Sequence, residues 1–175
     1  NTGISSIGWV NGAAFGKGKF VIGSTGGVIA YSNDGNTWVD VTPKDSEDNN
    51  LFGAGGGSGA QGAVNSVVFS ADKGLFVAVG GNSGMAPIAA TSSDGITWTQ
   101  TDDIKIAETN NYIYVGYGAG VFLIGYEGAS WSYSTDAYKW TTIDDAKLEK
   151  TTGIAYGAGK FVMVGGDEIA YSIPE

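Results

Sequence analysis

The sequence predicts an all-β fold, a four-bladed β-propeller, from three observations. A seven-residue motif occurs three times, as SNDGNTW at residues 32–38, SSDGITW at 92–98 and, in a degraded form, STDAYKW at 134–140. An aromatic–glycine turn followed by an apolar run occurs four times, around Phe20, Phe76, Phe122 and Phe161. No segment has apolar residues at helical spacing over more than two turns. Antiparallel units of about 40 to 45 residues are typical of propeller blades.

Each unit is predicted to contain three or four short strands, named a to d. Strand a ends in a tight turn whose glycine supplies a positive φ, strand b is the apolar run, and strand d begins at the tryptophan after an Asp-Gly turn, a strong hairpin signal. The units predict one domain over residues 1–175. Its blades are expected at about 8–42, 64–102, 111–144 and 152–175.

The fourth unit ends before any Asp-Gly turn or tryptophan strand. Residues 2–7 precede strand a of the first unit and have no repeat partner of their own. We therefore expect residues 2–7 to pair as strand d of the last blade and close it, because an exposed strand edge favours aggregation.

The composition excludes several classes of partner and chemistry. Nine lysines, no arginine and eighteen acidic residues give a net charge of −9, so a nucleic-acid partner is not expected. The chain has no cysteine and therefore no disulfide or thiolate site. The sequence has no run of eighteen apolar residues, so a transmembrane helix is not predicted. An acidic, Gly/Thr/Ser/Asn-rich chain favours an extracellular location or a cell or virion surface.

The Ser-x-Asp-Gly-x-Thr-Trp copies resemble the Asp-box, or BNR, repeat of sialidase-like propellers, which usually has one more residue between Asp and Gly. The longer pattern, from Tyr-Gly-x-Gly-Lys-Phe-Val to Asp-Gly-x-x-Trp, is similar to propeller repeats of bacterial surface and secreted proteins and of phage tail proteins. The resemblance implies a structural role for the motif, with Asp bonding the turn backbone and Trp packing between blades. The turn residues are Asp34, Gly35, Trp38, Asp94, Gly95, Trp98, Asp136 and Trp140. Ala137 replaces the third glycine, so that turn should be strained or of another type.

The chain is not predicted to be an enzyme. Sialidase chemistry needs arginines that grip a carboxylate, and the chain has none. Without histidine or cysteine it also lacks a Ser-His-Asp triad and the usual zinc ligands. A glycoside hydrolase with a carboxylate pair stays open as an alternative. The acids offered for such a pair are Asp102, Asp103, Glu108, Glu127, Asp144, Asp145, Asp167 and Glu168.

Aromatic residues concentrate in the third unit and suggest a ligand site. Trp131, Tyr126 and Tyr138 are the candidate ligand-binding residues, since sugar rings stack on such side chains. The alternative for Trp131 is that it fills space between blades. No metal site and no cofactor is predicted, although the run of oxygen ligands at residues 45–50 leaves calcium open.

The function expected from these features is a non-catalytic extracellular or surface binding module that recognises a glycan or a surface protein. Its specificity would reside in loops held at one end of the disc, with insertions at 43–63 and 82–87. The alternatives are a structural propeller that packs against neighbouring subunits, as a homo-oligomer or within a larger parent assembly, and the glycoside hydrolase.

Overall fold

The computed structural model describes residues 4, 7–53, 62–81, 87–101, 104, 113–126, 130–144, 148 and 150–172. Within these residues every regular element is a β-strand, and none is a helix that could cross a bilayer. The strands form four antiparallel sheets, which we call blades 1 to 4. The predicted all-β class is confirmed.

The blades follow one another along the chain. Blade 1 contains β1 (Val10–Gly16), β2 (Lys19–Ser24), β3 (Ile29–Ser32) and β4 (Val39–Asp40). Blade 2 contains β5 (Ala63–Ser70), β6 (Leu75–Gly81), β7 (Pro87–Ser92) and β8 (Thr99–Gln100). Blade 3 contains β9 (Ile113–Gly118), β10 (Val121–Tyr126), β11 (Ser130–Ser134) and β12 (Thr141–Asp144). Blade 4 contains β13 (Gly153–Gly157), β14 (Lys160–Gly165) and β15 (Glu168–Tyr171).

In each blade the strands pair in chain order, and strand a is the innermost. β1 packs on β5, β5 on β9, and β9 on β13, so the four sheets stand side by side around one axis. This is the arrangement of propeller blades. In blades 1, 3 and 4 the turn from strand a to strand b is tight because two successive residues take a positive φ, for example Ala119 (48°) and Gly120 (80°). Such turns match the twist of a hairpin.

Each blade has two faces, because side chains alternate across a strand. The leading face, which is turned toward the preceding blade, carries one ring on strand a and one on strand b. The ring pairs are Phe15–Phe20, Phe69–Phe76, Tyr117–Phe122 and Tyr156–Phe161, with centroids 4.7, 4.6, 4.5 and 4.9 Å apart. The trailing face, which is turned toward the next blade, has a small residue at the end of strand a. These small residues are Gly16, Ser70, Gly118 and Gly157.

The core of the molecule lies between the blades. Val21 and Ile29 of blade 1 pack in one cluster with Phe76 of blade 2. Val77 of blade 2 packs with Phe122 of blade 3. The third cluster joins the trailing face of blade 3 to the leading face of blade 4. Its buried members are Leu123, Leu148 and Met163.

A ring of one blade covers the small residue of the blade before it. A Cβ atom at Gly16 would lie 2.3 Å from Cγ of Phe69, and one at Gly118 would lie 2.0 Å from Cγ of Tyr156. No Cβ atom tolerates such a contact. Glycine at these positions therefore allows neighbouring a strands to approach closely.

Blade 4 has three strands among the described residues. The closing strand expected from residues 2–7 falls largely outside the described residues and stays a prediction. Ile4 and Ile7, which are described, lie in no strand. β13 packs on β9 and β14 and makes no extended contact with β1.

Gly118→Ala should lower the free energy of unfolding by about 1–3 kcal/mol, since the added methyl group would overlap the ring of Tyr156. Urea unfolding measures the change. Thr141→Ser, an exposed position of the same blade, is the control and should stay within about 0.5 kcal/mol of the parent. Equal stability of Gly118→Ala and the control would mean that blades 3 and 4 are not packed through this contact.

Candidate functional site

The antiparallel order of the strands gives the propeller two different ends. The turns from a to b and from c to d lie at one end, which we call the turn end. The connections from b to c and from one blade to the next lie at the other, which we call the loop end. Both sequence insertions, 43–63 and 82–87, belong to the loop end. Residues 54–61 and 82–86 of these insertions lie outside the described residues.

Acidic residues are concentrated in the loop-end connections. These connections contain ten of the eighteen acidic residues and four of the nine lysines of the chain. The turn-end connections contain four aspartates and three lysines. The four turn-end aspartates are Asp34, Asp72, Asp94 and Asp136, and each accepts a hydrogen bond from a serine hydroxyl in its own turn. The sequence therefore assigns most of the net negative charge to the segments that connect strands at the loop end, and of their ten acids the structure describes Asp45, Glu47, Asp48 and Asp167.

The best-defined part of the loop end is a small hairpin at residues 44–50. Lys44 and Asn50 form an antiparallel bridge. The Asp45 carboxylate accepts the backbone N–H groups of Glu47 and Asn49, each at 2.9 Å. These two bonds hold the pKa of Asp45 below its usual range. Glu47 and Asp48 are exposed at the tip.

The hairpin is anchored in the core just after its last residue. Leu51 and Phe52 are buried between blades 1 and 2. The Asn50 side chain donates to the carbonyl of Gly26 at 3.4 Å and accepts the N–H of Phe52 at 3.1 Å. Sequence analysis missed this anchor, although two large apolar residues ahead of a glycine-rich run are a signal for it.

Trp9 is a further exposed residue at the loop end, and sequence analysis did not select it. Its side chain is 78% exposed. Its backbone is fixed by two hydrogen bonds with Thr25, one from the Trp9 N–H to Oγ1 at 3.0 Å and one from the Thr25 N–H to the Trp9 carbonyl at 2.9 Å. The repeat pattern concealed it, because it precedes the first motif.

The three Asp-box-like turns have the same hydrogen bonds. In the first, the Ser32 hydroxyl donates to Asp34 at 2.9 Å, and the Asp34 carboxylate accepts the N–H groups of Asn36 and Thr37 at 2.8 and 2.7 Å. These bonds lower the pKa of Asp34 to about 2, with the Thr37 bond the largest cause. Backbone bonds likewise lower the pKa of Asp94 and of Asp136. These carboxylates bond their own turns.

The third turn keeps the geometry of the others despite its alanine. Ala137 takes a φ of 67°, close to the 76° of Gly35, and its N–H donates to Ser134 Oγ at 2.9 Å. A left-handed alanine costs about 1–2 kcal/mol. The methyl group is fully buried between blades 2 and 3, which offsets part of that cost. Of the two expected outcomes, strain or a new turn type, the structure has the first.

The motif tryptophans differ in burial. Trp98 is buried with its ring centroid 6.4 Å from that of Phe76, and Trp140 packs against the cluster between blades 2 and 3. Trp38 is only partly buried. Trp140 is also partly buried, and of the three only Trp98 is buried. Trp38 differs from the other two because no blade packs before it.

The structure does not bring the three candidate ligand-binding residues to one surface. Tyr126 is buried between blades 2 and 3, and burial raises the pKa of its hydroxyl. Trp131 is partly buried on the opposite face of the same sheet, against Leu123. Tyr138 is 45% exposed at the turn end. A shared role in glycan binding stays a prediction that this arrangement does not favour.

Most acids proposed for a catalytic pair cannot be placed. Asp102, Asp103, Glu108, Glu127 and Asp145 lie outside the described residues, and for Asp144 only the backbone is described. Asp167 and Glu168 adjoin each other at the start of β15. Among the described residues no group of three acids could hold a metal ion, and the run at 45–50 forms the hairpin described above.

Comparison with known proteins supports the fold. No protein-family model and no curated protein matches the sequence. The structure is similar to a computationally designed protein, Ika4, with a TM-score of 0.64 and 12% identity over 98% of this chain and 94% of that one. It is similar to YCF48 from Cyanidioschyzon merolae, with a TM-score of 0.70 and 12% identity over 99% of this chain and 56% of that one. It is also similar to a structure of YCF48 bound to D1 peptide, with a TM-score of 0.66 and 17% identity over 98% of this chain and 52% of that one.

These neighbours and the four stacked sheets define the class: the chain is a β-propeller protein. It spans about half the length of the YCF48 chains that it matches. The Asp-box resemblance has no family-level match and rests on the repeated motif and its hydrogen bonds.

Acid should destabilise the fold through the three motif aspartates. Since their pKa values are lower in the folded chain than the usual 3.9, their bonds stabilise the fold above about pH 4. That contribution is lost as the pH falls toward about 2, the pKa of Asp34. Urea midpoints at pH 7, 4 and 2.5 should show the loss.

Replacing Asp34, Asp94 and Asp136 together by Asn should lower stability at pH 7 and flatten its dependence on pH below 4. Glu47→Gln, which removes an exposed carboxylate at the other end, should leave the pH profile unchanged. A triple variant with the parent's profile would contradict the assignment of these aspartates as turn formers.

Trp131→Ala should destabilise the protein by about 2–4 kcal/mol, because the indole packs in the cluster between blades 3 and 4. Thermal unfolding measures the loss, and Tyr138→Ala, at an exposed site, should stay close to the parent. Unchanged stability of Trp131→Ala together with loss of binding on a glycan array would instead favour the ligand role.

Proposed function

We propose that this propeller is a non-catalytic binding module that takes a polypeptide with a basic segment at its loop end. The observation that carries the proposal is the concentration of acidic residues in the loop-end connections of a rigid scaffold. A surface with one sign of charge attracts a partner of the other sign and raises its association rate. Loops on a rigid fold are the usual place for specificity.

The described hairpin at 44–50 supports a preformed recognition element. Its exposed Glu47 and Asp48 are held by internal hydrogen bonds and by the buried Leu51 and Phe52 that follow them. A partner would therefore bind without the cost of ordering this loop. The exposed indole of Trp9 lies at the same end and offers an apolar anchor beside the acidic groups.

The comparisons support a polypeptide as the ligand. YCF48, which has the same fold, occurs in a structure bound to D1 peptide. Acidic glycans would be repelled by the loop end, so only neutral or basic ones would compete. We further propose that the turns are Asp-box repeats and that the protein acts outside the cell or on a cell or virion surface, in keeping with its acidic, Gly/Thr/Ser/Asn-rich composition.

The test is binding to arrays of lysine- and arginine-rich, neutral and acidic peptides, with a neutral glycan array in parallel. We expect binding to basic peptides that weakens as salt rises, since salt screens exposed charges. The double variant Glu47→Gln, Asp48→Asn should bind about two- to tenfold more weakly.

The matched control is Asn33→Lys, Thr135→Lys, which changes the net charge by the same amount at exposed positions of the turn end. It should bind as the parent does. Equal weakening in both variants would show an effect of net charge alone. Hits on neutral glycans, with no peptide bound, would overturn the polypeptide proposal.

A further inference from the structure

Two blade faces that are core elsewhere in the molecule are exposed at the two ends of the row of blades. Phe20, on the leading face of blade 1, is 41% exposed, whereas its counterparts Phe76 and Phe122 are fully buried. On the trailing face of blade 4, Ile169 is 72% exposed, whereas its counterpart Ile29 is fully buried. Both faces carry the residues of a blade interface but lack the neighbouring blade.

The trailing face of blade 4 has the strand pairing and the aliphatic side chains of the trailing face of blade 2. Val162 and Val164 of blade 4 occupy the positions of Val77 and Val79 in blade 2, as the registers with β13 and β5 show. The pair in blade 2 is fully buried against blade 3, whereas Val162 and Val164 are 39% and 41% exposed. The trailing face of blade 4 is therefore built to accept a leading face.

A glycine that no ring covers, which we call the hole, and a ring that covers no glycine, which we call the knob, complete the match. Gly157 is the counterpart of Gly16 and Gly118, which are covered by a ring of the following blade, yet no atom lies within 4 Å of a Cβ at Gly157. Phe15 is the counterpart of the covering rings Phe69 and Tyr156, and it is 58% exposed. The ring that fits this hole is thus present on the same chain, at the other end of the row.

The row itself is open. β1 and β13, the a strands that would adjoin in a closed four-bladed ring, make no extended contact. Among the described residues, the row of four blades therefore ends in two uncovered faces.

We propose that two copies of this chain join head to tail and form one ring of eight blades. The trailing face of blade 4 in each copy packs on the leading face of blade 1 in the other, and Phe15 of the partner subunit covers Gly157. Such a contact joins two different surfaces, and in a pair of arcs it closes after two identical interfaces. Both acidic loop ends then lie on the same side of the ring.

Light scattering coupled to size exclusion tests the proposal on the 175-residue chain. We expect a mass twice the 17.9 kDa of one chain. Phe15→Ser removes the knob, and Gly157→Leu fills the hole without a clash inside its own chain. Each should raise the concentration at which the pair dissociates by about tenfold or more. Tyr138→Ser removes an exposed ring outside both faces and should leave the mass unchanged.

A disulfide trap separates the two-copy ring from other arrangements, since the chain has no cysteine of its own. Val10 and Val164 occupy the positions of Val64 and Gly23, which adjoin between blades 1 and 2. A Cβ at Gly23 would lie 2.7 Å from Cβ of Val64, so the interface between copies must be slightly wider there, and a disulfide spans a Cβ–Cβ distance of about 3.8 Å. In the variant Val10→Cys, Val164→Cys, oxidation should give a covalent species of twice the chain mass. The control pair Val10→Cys, Tyr138→Cys should give none.

Three results would overturn the proposal. A single-chain mass up to about 1 mM would show that the faces do not associate. A cross-link within one chain would show that blades 1 and 4 close on each other. A ladder of cross-linked masses would show head-to-tail contacts that form a filament instead of a ring.

Discussion

The packing of an aromatic ring of one blade on a small residue of the blade before it, a glycine in blades 1 and 3, is the contact on which the rest of this structure depends. It sets the distance between neighbouring a strands, because a side chain at Gly16 or Gly118 would prevent the approach. The close approach brings the aliphatic residues of strands b and c into the adjoining cluster. The packed blades then fix the positions of the turns and loops at the two ends. Local hairpin geometry alone would give four separate sheets.

The repeat made much of the fold predictable. The three copies of the motif predicted the turns between strands c and d and the tryptophans that follow them. The positions that match between units predicted strands a, b and c. What the motif could not predict is burial, since this depends on the neighbour of each blade. Trp38 and Trp98 stand in nearly the same sequence, and only Trp98 has a blade packed before it. Alanine at position 137 could not be interpreted either, because the burial that offsets its strain comes from another blade.

The aromatic residues of blade 3 show where composition misleads. Tyr126 lies four residues after Phe122 on the same strand, so alternation places both on the leading face of blade 3. Trp131 pairs with Gly125 and therefore lies on the opposite face. Alternation along β10 would have placed Tyr126 with Phe122 from the sequence, whereas the face of Trp131 depends on the register between β10 and β11. The charge of the loop end, in contrast, needed the topology, because its acids are scattered along the sequence and meet only through the strand order.

With the charge distribution on which the proposed function rests, the molecule would have an electric dipole directed from one end of the propeller to the other. A dipolar particle rotates in the field of a charged surface before it touches that surface. Near the basic partner that we propose, this chain would arrive with its loops forward and its motif turns facing away. Orientation would thus be selected at a distance of about a Debye length, and side-chain contacts would form only afterwards.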